Sequence, residues 1–89
     1  MKIFYTRRFV KMLGRLTADV RRLFFIQEEI LKQDWRDPRL HVKKLTGRLP
    51  LFSFRVTRSY RVLFYFRAYD EIALFAIGGR KDIYRYLDT

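Results

Sequence analysis

The residues best equipped for chemistry are arginines placed to meet one another. From Phe52 to Arg67 the chain reads FSFRVTRSYRVLFYFR, two strand-like runs around a short polar turn. Strand side chains alternate between faces, so the pairing register must bring like faces together. Pairing Val56 with Tyr60 across Thr57, Arg58 and Ser59 sets Phe54 against Val62 and Phe52 against Phe64. The same register sets Arg55 opposite Arg61 on the other face. A one-residue slip would bury arginines and expose phenylalanines, whereas a two-residue slip leaves both arginines on one face. Like charges so opposed repel unless an anion lies between them.

A third run, Glu71 to Gly78 (EIALFAIG), follows a turn at Ala68, Tyr69 and Asp70. Opposing Arg67 with Glu71 aligns Phe66 with Ile72, Phe64 with Leu74 and Val62 with Ala76, and gives Arg67 a carboxylate partner. The face carrying Arg55 and Arg61 then also carries Leu63, Tyr65, Phe75 and Ile77. With Ile77 opposite Arg61, the chain leaves through Gly78-Gly79 and brings Arg80 and Tyr84 out near Arg55 and Arg61. Three arginines and a phenol converge there on one shallow, partly apolar basin. The alternative is that these arginines bond solvent, backbone carbonyls or Asp82.

The elements that must position this basin are legible from spacing. Lys2 to Tyr5 (KIFY) reads as an opening strand. Thr6 caps a first helix, roughly residues 7–15, burying Phe9, Met12, Leu13 and Leu16. Thr17 caps a longer one whose inward stripe is Val20, Leu23, Phe24, Gln27, Ile30 and Leu31, widened by Phe25 and Ile26. Asp37-Pro38, within QDWRDPRL, punctuates the chain after it, and His41 to Pro50 (HVKKLTGRLP) forms a basic connector. The expectation is one α+β domain over 1–89: an N-terminal strand, a two-helix hairpin, then a three-strand antiparallel meander (β-α-α-β-β-β). The helices cover one sheet face, and the chain ends in a short tail.

Composition narrows the function classes. Twenty Lys and Arg against nine Asp and Glu give a formal charge of +11 in 89 residues, and fourteen of the cations are arginine. Such an excess points to a polyanion, nucleic acid first, because the guanidinium fork grips phosphate bidentately and stacks on bases. A merely solvated basic surface is the bland alternative. Without cysteine there is neither a disulfide framework nor a thiolate metal site, which suits a cytoplasmic protein. MKIFYTRR lacks the apolar run of a signal peptide, and no segment reaches the length of a membrane span. Asp34, Asp37, Asp70 and Glu71 are too scattered for a metal site, and no phosphate-cradling glycine loop or nucleophile elbow is present.

The run LHVKKLTGRLPLFSFRVTRSYRVLFYF, followed by DEIALFAIGGRKDIYR, resembles the RelE/ParE superfamily of type II toxin–antitoxin toxins. The likeness is to the RelE/YoeB-like mRNA interferase branch. It rests on the K-L-x-G connector (Lys44, Leu45, Gly47), Arg55-Val56, Tyr60-Arg61-Val62, and the strand end G-x-R-K-D-I-Y. It covers the chain in element order and is strongest from His41 to Arg85. The resemblance implies a toxin that enters the ribosomal A site and cuts mRNA, restrained by a cognate antitoxin. By position, Arg61 matches the family's phosphate-binding arginine, and Arg80 the arginine that stabilises phosphate or protonates the leaving group. Tyr84 matches the C-terminal tyrosine that stacks on a base or transfers a proton, and Arg55 a supporting basic residue. Two positions depart from the pattern: many relatives carry histidine where this chain has Gly79, and RelE has lysines at Phe52 and Phe54.

RNA cleavage of this kind needs no metal or other cofactor, since the substrate's 2′-hydroxyl is the nucleophile. The protein must help remove its proton, stabilise the phosphorane and protonate the 5′-oxygen. Arginines suit the second task. A tyrosine, normally titrating near ~10, suits the others only with cations beside it to favour the phenolate. His41 is the lone histidine and a secondary acid/base candidate. With Lys43, Lys44 and Arg48 in the connector, and Lys81 and Arg85 in the tail, it completes the expected RNA-binding set. Two other outcomes are compatible with the same fold: a ParE-like inhibitor that binds DNA gyrase, and an inactive relative that only binds its antitoxin or RNA.

Overall fold

The computed structural model describes residues 1–45, 47 and 49–87. Strand β1 (Lys2–Tyr5) leads into helices α1 (Arg7–Gly14) and α2 (Ala18–Gln33). A 3-10 turn (Pro38–Leu40) precedes β2 (Lys43–Lys44), β3 (Phe52–Arg55), β4 (Tyr60–Ala68) and β5 (Glu71–Gly79), and a 3-10 helix (Ile83–Leu87) closes the described chain. The α+β class and element order are as the sequence predicts, with two refinements. The sheet has five strands in the order β1-β5-β4-β3-β2, because two connector lysines pair with β3. It is also mixed, since β1 runs parallel to β5, Ile3 opposite Ile72. A two-residue strand of lysines carries no alternation to read, and it makes a short, charged sheet edge.

Helix starts are fixed by their caps. The Thr6 hydroxyl accepts from the Phe9 amide at 3.1 Å, and the Thr17 hydroxyl from the Val20 amide at 3.4 Å. Asp19 lies in the first turn of α2, where the helix dipole favours a carboxylate. Beyond α2, Asp37 caps the 3-10 turn, accepting from the Arg39 amide at 2.9 Å. The Arg39 guanidinium also closes a two-point ion pair on Asp37, holding its carboxyl down to about 2.

The core fills the space between the helices and one sheet face. Phe9 and Leu13 from α1 and Phe24 and Leu31 from α2 meet Phe54, Val62, Phe64, Ile72 and Leu74, all buried. Each such side chain contributes about 1.5–3 kcal/mol on leaving water. The wide α2 stripe is narrower than its periodicity suggests: Phe25 is 47% exposed and Ile26 53%. A 16-residue helix on a small sheet can bury only one side, so the flanking apolar residues stay outside.

The β3–β4 register is the expected one: Phe52 opposite Phe64, Phe54 opposite Val62, Arg55 opposite Arg61. The β4–β5 ladder keeps Phe66 with Ile72 and Phe64 with Leu74, then departs from simple alternation. A bulge leaves Phe75 unpaired, so Val62 meets Ile77 rather than Ala76, and Arg61 meets Gly78 rather than Ile77. Ile77 therefore joins the helix-side core, while Phe75 and Ala76 pack with Leu63 on the opposite face. A second irregularity opposes Glu71 to Ala68, not Arg67. Deprived of that carboxylate, the Arg67 guanidinium lies 4.0 Å over the Phe4 ring, a cation–π contact.

Candidate nucleic-acid interface

The sheet face opposite α1 and α2 holds the basin, and the bulge decides what fills its floor. Leu63, Ala76 and Ile83 form a second buried cluster there, with Phe75, Tyr84, Leu87, Leu45 and, from the edge of α1, Met12 packed against it. The face is thus partly roofed by the C-terminal 3-10 helix. Ile83 packs over Gly78, where a Cβ would stand at ordinary contact distance, 3.4 Å, from Ile83 Cδ1. The Arg80 amide donates to the Ser59 carbonyl at 2.6 Å, tying the exit of β5 to the β3–β4 turn. That turn is itself held by the Thr57 hydroxyl, which accepts from the amides of Ser59 and Tyr60. The tail, with Arg80 and Tyr84, is in this way fastened beside the arginine pair.

Arg61 is the centre of the group and is 9% exposed. Its Nη1 donates to the carbonyls of Thr57 at 2.8 Å, Arg58 at 2.9 Å and Tyr60 at 3.2 Å. The alternative in which backbone carbonyls occupy the arginine therefore holds for one nitrogen, and it fixes where the guanidinium sits. Burial pushes the Arg61 pKa below the usual arginine value; the Arg55 charge adds to this, the Tyr84 phenol opposes it, and the Arg80 charge lowers it further. Arg55 is half-buried, and its Nε, shielded from solvent, has no hydrogen-bond partner among the described residues.

The remaining expected residues distribute unevenly. Lys81 is exposed and lines a shallow hollow with Ser59, Tyr60, Gly79, Arg80 and Asp82. Arg85 is exposed and pairs with Asp82 at 2.8 Å. Lys43 stands opposite Ser53, in the row that continues to Leu63, so it shares the basin's face. Lys44 stands opposite Phe52 and so belongs to the helix side. His41 is exposed, in left-handed conformation (φ 49), where it ends the 3-10 turn. Arg48 lies outside the described residues.

One contributor escaped the sequence reading. Gln27 fell in the inward stripe of α2, but its Nε2 donates to the Arg55 carbonyl at 2.8 Å and the Arg39 carbonyl at 3.1 Å. A lone polar residue in an apolar stripe was the available signal. It ties α2 to the strand end that presents Arg55.

No protein-family model and no curated protein sequence matches the chain. Solved structures do. A RelE–RelB complex from Pyrococcus horikoshii OT3 superposes with a TM-score of 0.74 at 26% identity, over 91% of this chain and 96% of that one. A RelB–RelE antitoxin–toxin complex from Methanococcus jannaschii gives 0.75 at 24% identity, over 93% and 96%. Isolated RelE toxin from E. coli gives 0.71 at 15% identity, over 98% and 92%. The chain thus shares the fold of the RelE-like toxins.

Proposed function

We propose that this chain is the toxin of a toxin–antitoxin pair and an endoribonuclease that cuts mRNA on the ribosome. The observation that supports it is Arg55 opposite Arg61 on one sheet face, with Arg80 tied through its amide to the β3–β4 turn beside them and Tyr84 packed on the Leu63 cluster of the same face. Opposed guanidiniums on one face are relieved by a shared anion, and a phosphodiester supplies it. In the proposed mechanism Arg61 and Arg55 bracket the scissile phosphate and stabilise charge as the phosphorane forms. The substrate's 2′-hydroxyl attacks, the 5′-oxygen leaves, and a 2′,3′-cyclic phosphate results. Tyr84 serves proton transfer or stacks on a base, and Arg80 supports the departing oxygen. Since neither tyrosine nor arginine titrates near neutrality, the catalyst is modest and depends on the ribosome to bend the mRNA into line.

The archaeal RelE neighbours are found with RelB, and an antitoxin partner is proposed here on that likeness. Its chemistry would be acidic and apolar, to neutralise the basin. Primer extension on a model transcript, with and without ribosomes, tests the reading. Cleavage ends are expected only with ribosomes, falling at least about 100-fold in Arg61→Ala or Arg80→Ala proteins that keep native circular dichroism. Full cutting by both variants would overturn it. Intact mRNA with accumulating DNA breaks would instead support the gyrase alternative.

A further inference from the structure

Away from the basin, α2 carries a surface that neither the core nor the proposed chemistry uses. Phe25 and Ile26, about half exposed, line an open hollow along the helix with Ala18, Arg21, Arg22 and Glu29. Large apolar side chains grouped on one exposed face mark an interaction surface more often than scattered ones do. What it binds follows from its charge. In a chain of formal charge +11, the outer side of α2 sets Asp19 and Glu29 against Arg21, Arg22 and Lys32, a net of only +1, since Glu28 is buried. Neither a polyanion nor a strongly basic partner gains by approaching here. A second copy of this chain, repelled elsewhere by its own excess charge, meets little local repulsion at this helix.

The arrangement is also self-complementary. Along the hollow, Arg22 stands on one side of the Phe25–Ile26 pair and Glu29 on the other. We infer that two copies of the chain associate through antiparallel α2 helices about a two-fold axis passing between Phe25 and Ile26. Phe25 of each copy then lies against Ile26 of the other, and Arg22 of each against Glu29 of the other, the contact occurring twice by symmetry. Helices pack with their axes about 8–10 Å apart, within reach of these long side chains. The present neighbours do not prevent the exchange. Arg22 lies 3.4 Å from Asp19, with side chains 70% and 86% exposed, and Glu29 lies 3.2 Å from Lys32. Such exposed pairs are held by little, and either carboxylate or guanidinium can turn to a new partner. Ala18 and Gln33, at the ends of the helix, come opposite each other and leave room for closure.

Because α2 lies on the sheet face opposite the arginine basin, the pairing leaves both basins on outer sides. The inference therefore stands apart from the reaction proposed for them. One helix face per copy gives a small interface, below roughly 1,200 Å² in total, so the dimer is weak and concentration-dependent.

Sedimentation equilibrium on the purified chain, from about 10 µM to about 1 mM, tests this with a charge-swap set. Wild type is expected to pass from monomer to dimer across that range. Arg22→Glu and Glu29→Arg, both at exposed positions, each place like charges in contact and stay monomeric. Mixing the two single variants restores dimer, because each then faces its complement at both contacts. The doubly swapped chain dimerises with itself. A wild type that is monomeric throughout, or a dimer indifferent to all four combinations, overturns the inference. So does cross-linking from position 25 that captures an antitoxin chain but never a second copy.

Discussion

At the scale of single residues, polar side chains decide where the basic ones stand. Gln27 binds the carbonyl of Arg55 from across the helix–sheet boundary, so its effect on chemistry should run through Arg55 alone. Gln27→Leu is expected to cost about 1–3 kcal/mol in urea unfolding, because a part-buried carbonyl loses its donor. Its effect on cleavage should vanish in an Arg55→Ala background while the loss of stability persists. Tyr5 makes a different kind of anchor. Its hydroxyl donates to the buried Glu28 carboxylate, joining β1 to α2. Burial first, and then Glu28, push the Tyr5 pKa well above its ordinary value. A pKa raised on folding gives stability that is whole below the unfolded value near ~10 and declines as pH climbs beyond it. Tyr5→Phe should therefore be less stable than wild type at neutral pH, and the gap should narrow above about pH 10. Denaturant midpoints measured from pH 7 to 12 check both halves.

Among the elements, β5 matters most, because its bulge sorts the two faces. Leu74 pairs with Phe64 and Ala76 with Leu63, so Phe75 is the surplus residue. Removing it leaves every other pair of the ladder intact and the alternation regular. A chain lacking Phe75 is expected to fold with Val62 still opposite Ile77, losing the Tyr65–Phe75 ring contact, whose centroids are 5.7 Å apart. Removing Ala73, a paired residue, should instead throw the N-terminal half of β5 out of register and unfold the protein. Cross-strand amide contacts by NMR distinguish these outcomes. A Phe75-deleted chain with Val62 facing Ala76 would mean the bulge does not set the faces.

For the molecule as a whole, charge is segregated: α2 is formally neutral while the chain carries +11. Binding to single-stranded RNA should then show the steep salt dependence of counterion release, with a slope near −0.7 per phosphate neutralised. Arg80→Ala should lower that slope by about 0.7, and substitutions at Phe25 or Ile26 should leave it unchanged. Fluorescence anisotropy across a salt series reads both. An α2 variant that flattened the slope would place RNA on the helix side.

The amino-acid sequence alone determined the two helices, the four longer strands and the arginine pairing. Strand alternation puts Phe52, Phe54, Val62 and Phe64 on one face and Arg55 and Arg61 on the other, and the short turn Thr57–Ser59 selects the register that sets the two arginines opposite each other. Threonine caps and an aspartate–proline stop mark the helices for equally local reasons. Tertiary structure decided what no local pattern encodes. The bulge at Phe75, the parallel seat of β1 beside β5, and the edge strand at Lys43–Lys44 arise from pairing between distant segments. So does the side of α2 left in solvent, because burial depends on how much surface the sheet offers and not on how many apolar residues the helix presents. Gln27 joined the site for the same reason: its partner lies 28 residues along the chain, and only folding brings the two together.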